Sequence, residues 1–285
     1  MPTENQPVPP PGGVARALEQ IEALSASSQH RCAPAAFARS MGLFEAARGS
    51  ARLVLTRKSS NLLYNRLIAV GQRSPASASA LDWALGHCLE QRAQGLAVAV
   101  TPRSRPQRLG LWLEKRGFER GFPGAKLWRD DRRLPRQTGS AEIRVRRVRG
   151  AESGHWVDVV ARVWRAFGTR RAWFEARAQA EGWRHYVASI DGVDVGAGAL
   201  FVGNVGDLCV GHLVDGVTLP EARRRGVQSA IIRRRIQEGR QSGCQLFCSE
   251  TAPPLPRMPL VSYRNLKRQG FELAYLRDSW NLRFD

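Results

Sequence analysis

The period of the apolar positions changes repeatedly along the chain, and each change marks an element. Apolar residues recur at helical spacing from Val14 to Leu24, then turn strand-like between Ala51 and Val70, as in Leu53-Val54-Leu55 and Leu67-Ile68-Ala69-Val70. Leu81, Trp83, Ala84, Leu85, Cys88 and Leu89 give a helix from about Ser77 to Gln94 its apolar face, and Leu96 to Val100 reads as a buried strand. Glu142 to Val148 alternates as a strand, and Trp156, Val157, Val160, Val163 and Trp164 predict a helix over Glu152 to Phe167. Trp183 to Ile190 and Val195 to Val202, joined by Asp191-Gly192, read as a hairpin. A long strand from Leu208 to Leu219 then delivers the chain to an arginine-rich loop and a helix carrying Val227, Ile231, Ile232 and Ile236. A strand over Cys244 to Ser249, a helix from about Val261 to Gln269 and a last strand around Leu273 to Leu282 follow. Strands and helices in this order predict an α/β (α+β) chain of mixed sheets flanked by helices.

Breaker residues divide that succession. Pro7, Pro9, Pro10, Pro11, Gly12 and Gly13 make the start of the chain a disordered tail, so residues 1–29 are expected to be a disordered or helical extension. Asp130 to Ser140 is polar and charged, which places a linker at 136–141 between a domain over 30–135 and another over 142–285. The two parts echo each other. Leu113 precedes Gly117-Phe118 as Leu266 precedes Gly270-Phe271, each after a helix, a glycine (Gly95, Gly243), an apolar strand and a Thr-Pro or Thr-Ala-Pro-Pro turn, and each before a strand bearing a tryptophan (Trp128, Trp280). An echo of that length implies two copies of one supersecondary plan.

Charge narrows the partners. The 285 residues carry 44 Lys and Arg against 25 Asp and Glu, a formal net charge of +19, almost all of the excess being arginine. Nucleic acid, an acidic protein or a polyanionic cofactor are all compatible with it. No basic run is interleaved with aromatics and there is no Cys/His finger, so nucleic acid is supported by charge alone. The five cysteines (Cys32, Cys88, Cys209, Cys244, Cys248) are scattered without a C-x-x-C, which predicts neither a disulfide framework nor a metal site, and a reducing compartment. With no signal-like apolar segment at the start and no apolar run of membrane length, the expectation is a cytoplasmic protein that makes no membrane contact.

The candidate chemistry lies at the strand–loop–helix junction Val217-Thr218-Leu219-Pro220-Glu221-Ala222-Arg223-Arg224-Arg225-Gly226-Val227-Gln228-Ser229. Such a junction aims several backbone N–H groups and the positive end of a helix dipole at one spot. Three guanidiniums add charge, and a glycine admits close approach, so the spot suits a diphosphate. The segment resembles the cofactor motif of the GNAT superfamily of acyl-CoA-dependent N-acyltransferases, R/Q-x-x-G-x-G/A, with Arg223 first, Gly226 as the glycine, and Gln228 where a second small residue is usual. The order of elements after it, with the terminal Arg268-Gln269-Gly270-Phe271, resembles the same family's C-terminal half over about 141–285. The resemblance implies tandem GNAT-like sheets with a complete C-terminal copy. It also implies acetyl-CoA as cosubstrate, held by Val217, Thr218, Leu219, Arg223, Arg224, Arg225, Gly226, Val227, Gln228, Ser229 and Asn265. The first copy has no such motif where its helix begins at Ser74 to Ser79, so 30–135 is expected to be a copy without cofactor binding.

By that resemblance an amine attacks the thioester of acetyl-CoA directly, beside a strand that splays from its neighbour at a bulge, which Asp215-Gly216 would supply. His212 falls where the family's general base often lies, followed by Asp215 and Glu250. Leu266 stands where a tyrosine acid is common, and Tyr263, one turn earlier, is the substitute. The acceptor is a primary amine on a small molecule or peptide, and a homodimer is compatible with the sequence. Two other readings stand beside the enzyme. One is a non-catalytic GNAT-like binding or regulatory module, and the other a basic RNA- or ribosome-associated protein.

Overall fold

The computed structural model describes residues 10–136, 142–164, 170–256 and 260–284. Along them run α1 (Gly12–Arg31), α2 (Ala35–Met41), β1 (Leu43–Arg48), β2 (Ala51–Thr56), β3 (Arg66–Ile68), α3 (Ala78–Glu90), β4 (Gly95–Val100), α4 (Leu109–Glu114), β5 (Glu119–Arg120) and β6 (Gly124–Asp130). The second half contains β7 (Ile143–Val148), α5 (Ser153–Val163), α6 (Arg171–Gln179), β8 (Trp183–Ile190), β9 (Val193–Val205), β10 (Leu208–Thr218), α7 (Val227–Gln241), β11 (Leu246–Thr251), α8 (Val261–Arg268) and β12 (Glu272–Arg283). None of the described helices is long and apolar enough to cross a membrane.

The chain forms two compact units. The first comprises residues 1–126 and 273–285, the second 127–272. The division departs from the expected boundaries in two ways. The last strand pairs antiparallel with β4, Trp280 opposite Val98, and so completes the first unit. Residues 127–135, expected in the first domain, fall in the second. Over the residues expected to be a disordered or helical extension, Gly12–Arg31 is helix α1, which buries Ala15, Leu18, Ile21 and Ala23 and packs on β1, β2 and β3. Of the linker expected at 136–141, residues 137–141 lie outside the described residues, as do residues 1–9 of the expected tail, while Gly12 and Gly13 of that tail open α1.

In the first unit the strands run β1-β2-β3-β4-β12, with β5 beside β12. Its core gathers Leu53, Leu55 and Leu67 from the sheet with Leu81, Ala84 and Cys88 of α3, and Leu109 and Leu113 of α4. Charged side chains lie buried beside that core. Glu22 of α1 is bound by Arg66, Lys126 and Arg277, and Glu19 by Arg277 at 3.0 Å and by the Tyr275 hydroxyl at 2.9 Å. Burial pushes the Glu22 carboxyl up, but Arg277, Lys126 and Arg66 outweigh it and hold it well below the usual carboxylate range.

In the second unit the order is β7-β8-β9-β10-β11. Neighbours β7 to β10 are antiparallel, and β10 with β11 is the parallel pair. The hairpin turn is Asp191-Gly192, both residues with positive φ (50° and 79°), as a two-residue turn between twisted strands requires. Helix α7 covers one face, its Val227 and Ile231 packing with Ala188, Ile190, Val195 and Ala222. Glycines at 196 and 198 on β9 let it lie close, since a Cβ there would meet Val227 Cγ1 at 2.4 Å and Ile231 Cγ2 at 2.8 Å. Trp156 of α5 stacks on His185 of β8, and Trp173 and Phe174 of α6 are fully buried. Helix α6 has no counterpart in the sequence reading, because its arginines and alanines blur the apolar period that Trp173, Phe174 and Ala178 carry.

The repeated helix end is real in both copies. Phe118 N–H donates to Leu113 O and Phe271 N–H to Leu266 O, both at 3.1 Å, with Gly117 and Gly270 left-handed at φ 83° and 82°. Both helices therefore end in the same glycine-capped motif, with the leucine and phenylalanine buried together.

Candidate functional site

The site grows from an interruption in β10. Residues Val210 to Leu213 pair in parallel with Leu246 to Ser249 of β11, and there the described pairing ends, although β10 continues to Thr218. On its other side the register with β9 shifts between Val214 and Val217, so Asp215 and Gly216 form the bulge read from the sequence. Asp215 takes φ 54°, a left-handed value, and the bulge puts one extra residue into the strand. Beyond the bulge the strand holds β9 again, with Leu219 N–H donating to Val195 O at 2.9 Å. By antiparallel alternation the backbone N–H and C=O of Thr218 then face away from β9, toward the side where β11 has ended. The Oγ1 of Thr218 is buried without a hydrogen-bond partner among the described residues.

The strand leads through Pro220–Ala222 into the arginine loop and α7. Gly226 is the N-cap residue at φ 88°, and no side chain caps the helix. The N–H groups of Val227, Gln228 and Ser229 therefore precede the first internal bond of the helix, Ala230 N–H to Gly226 O at 3.0 Å. Arg223, Arg224 and Arg225 are exposed around this end, Arg225 lying 3.7 Å from Glu142. Backbone donors, dipole and guanidiniums converge on one place, which is the chemistry of a phosphate site.

Gln228, the departure from the usual small residue, has a structural task. Its amide donates to Ser262 Oγ at 3.0 Å and its carbonyl accepts from Asn265 Nδ2 at 2.6 Å, while Asn265 Oδ1 accepts from Arg268 at 3.1 Å. The start of α7 is thus bound to α8. The structure brings Gln228 and Asn265 together, and Ser262 with them, a link that spacing in the sequence did not show.

Two buried arginines hold the bulge, and neither was read from the sequence. Arg235 of α7 donates to Ala199 O at 2.9 Å and to Val214 O at 3.0 Å, fixing the carbonyl just before the bulge. Burial lowers its pKa to about 10. Arg177 of α6 donates to Asp215 at 2.5 Å, and its guanidinium lies 5.1, 4.5 and 4.4 Å from the ring centres of Trp156, Phe174 and Trp183. Aromatic faces replace part of the hydration an arginine loses on burial.

The residues proposed for proton transfer are distributed around this frame. His212 is buried and lies opposite Phe201 and Cys248, one step before the last parallel pair. Asp215 is in the bulge, its carboxylate engaged by Arg177. Glu250 is exposed one residue past that last pair. Tyr263 is buried on the inner face of α8 with Leu266. Ser249 Oγ donates to Leu213 O at 2.9 Å, so a side chain meets the carbonyl where the two strands part. His185 is a core residue: burial, then Arg177 and Arg147, push its pKa well below the usual value, and it stays neutral.

The corresponding junction of the first unit is closed by its own chain. After the short parallel pairing of β3 with β4, Arg105 N–H donates to Gly71 O at 3.0 Å and Ala76 N–H to Arg105 O at 2.7 Å. Gln72 reaches Thr101 at 3.0 Å and Ser104 at 2.8 Å. The start of α3 is capped by the Ser77 hydroxyl, which accepts from Ala80 N–H at 3.2 Å. The start of α3 therefore carries a side-chain cap that the start of α7 lacks.

No protein-family model matches the sequence, and no curated protein matches it. Solved structures do match. A GCN5-related N-acetyltransferase from Kribbella flavida superposes with a TM-score of 0.61 at 19% identity, covering 91% of this chain and 94% of that one. A tandem GNAT protein from the clavulanic acid biosynthesis pathway, solved without acetyl-CoA, gives 0.57 at 17% identity, with 83% and 81% covered. A GCN5-related N-acetyltransferase from Sphaerobacter thermophilus gives 0.51 at 13%, with 82% and 80% covered.

Proposed function

We propose that this chain, whose fold is the tandem α/β fold of GCN5-related N-acetyltransferases, transfers an acetyl group from acetyl-CoA to a primary amine at the second unit. The observation that carries the reading is the bulge at Asp215-Gly216, which frees one edge of β10 beside an uncapped helix start ringed by arginines. The loop Arg223 to Ser229 takes the diphosphate. The edge of Val217 to Leu219 takes the amide-bearing arm and presents the Thr218 N–H to the thioester carbonyl, where it stabilises the oxyanion as the amine nitrogen attacks. The C–S bond then breaks, the amide forms, and the thiolate takes a proton.

His212 accepts the proton lost by the attacking amine, with exposed Glu250 beside the parted strands as the route through water. Tyr263 donates to the thiolate. Asp215 serves better as the anchor of the bulge than as a base, because its carboxylate is already engaged by the buried Arg177 guanidinium. The first unit, whose equivalent junction is filled by 71–76 and 101–105, binds no cofactor. The test is calorimetry with acetyl-CoA followed by thiol release across a panel of small amines and amine-bearing peptides. One site per chain with turnover of at least one amine supports the reading. Binding without turnover on any amine favours a non-catalytic module, and no binding removes the assignment.

A further inference from the structure

A second charged feature lies at the other end of α7. Arg147 at the end of β7, Arg149 just after it, Arg184 of β8 and Arg234 of α7 line an open cleft of about 500 Å³ together with Glu238, Gln241 and Ser242. From Val227 to Glu238 the helix rises about 16 Å, so the cleft is remote from the arginine loop. Its one carboxylate is already committed. Glu238 accepts from the Tyr186 hydroxyl at 2.8 Å and from Arg234 at 2.8 Å, with Arg147 at 3.8 Å. Four guanidiniums against that single carboxylate leave an excess of three positive charges among the lining residues.

Arg147 records the strain of this arrangement. Burial first, then Arg149 and, more weakly, Arg184, lower its pKa, and its Nε is buried with no hydrogen-bond partner among the described residues. Holding like charges together in a partly desolvated concavity costs free energy unless an anion relieves it. Ser242 and Gln241 add neutral polar groups on the rim. Planar, fork-shaped donors in such number match phosphoryl oxygens better than a single carboxylate.

We propose that this cleft is a binding site for a diphosphate-bearing small molecule, separate from the acyl-donor site and independent of the transferase reading. The trivalent excess matches the charge of a terminal diphosphate near neutral pH, and a concave site only a few residues across suits a compact anion. A diphosphate also occurs in CoA itself, so the experiment must separate the two sources. Calorimetric titration of the full chain with inorganic pyrophosphate should show saturable binding. Arg149→Glu, an exposed position whose change spares the core, and Arg184→Gln should each weaken it about ten- to hundredfold, as loss of a charge-assisted contact does. Both variants should leave acetyl-CoA affinity at its original value, whereas Arg223→Gln with Arg224→Gln should leave the pyrophosphate isotherm of the cleft intact. Unchanged pyrophosphate affinity in both cleft variants would overturn the proposal. It would equally be overturned if the loop variant alone abolished binding, or if a short oligonucleotide displaced pyrophosphate with a steep salt dependence, which would mark an extended nucleic-acid surface.

Discussion

Gly226 offers the sharpest separation of a binding effect from a folding effect. Its φ of 88° lies in the left-handed region, while a Cβ built there meets only Ile143 Cδ1 at 3.6 Å, an ordinary contact. Gly226→Ala therefore carries backbone strain and no clash, a cost of about 1–2 kcal/mol. Gly243, beyond the C-terminal end of the same helix, has φ 83° and open space around it, so Gly243→Ala carries the same strain away from the loop. Both variants should lower the melting temperature of the second unit by a similar amount, roughly 2–8 °C for a unit of this size. They should part in ligand affinity. If alanine relieves its strain by rotating the loop, the N–H groups of Val227 to Ser229 lose their common aim. Loss of one hydrogen bond to a charged group corresponds to about 1.5–3 kcal/mol, or ten- to hundredfold in the acetyl-CoA dissociation constant. Calorimetry on the three proteins decides the matter. Wild-type affinity in Gly226→Ala, or an equal loss in Gly243→Ala, would refute the placement of the diphosphate.

Arg177→Met should destabilise the second unit by about 3–5 kcal/mol, because it leaves Asp215 beside an apolar box without its partner. Asp215→Asn added to it should restore part of that loss, and additive effects in urea unfolding would mean the pair does not hold the bulge. His185 is kept neutral in the fold while its unfolded form titrates near 6.5, so stability is full above that value and falls as acid is added below it. His185→Phe should remove that part of the slope and leave turnover unchanged, an outcome that fails if the imidazole serves catalysis. In the first unit the lowered Glu22 pKa contributes stability that is present above about 4.5 and lost as pH falls further, and Glu22→Gln should flatten the acid limb of its unfolding curve. His212→Ala and Tyr263→Phe should each reduce turnover by about 10²–10⁴-fold with little change in acetyl-CoA affinity, the first acting on the acidic limb of the pH profile and the second on the basic limb. Wild-type turnover in both would transfer the roles to Glu250 or water.

What the sequence determined by itself was local. The periodicity of Trp183 to Ile190, the Asp191-Gly192 turn, the paired Leu-x-x-x-Gly-Phe helix ends and the Arg223-x-x-Gly226 loop are each set within a few residues by side-chain alternation and by the backbone freedom of glycine. Those were legible, and so was the bulge at Asp215-Gly216. What only the tertiary structure decided depends on residues far apart in the chain. Nothing in the pattern of Leu273 to Leu282 says that the strand pairs with Leu96 to Val100, since an apolar strand satisfies its hydrogen bonds equally against any complementary edge. Arg177 and Arg235 read as surface charges until Asp215, three aromatic rings and two carbonyls gather around them, and Gln228 reads as a poor match until Ser262 and Asn265 arrive. The same holds for the cleft at Arg147, because convergence of like charges is a property of how β7, β8 and α7 pack and leaves no period in the sequence.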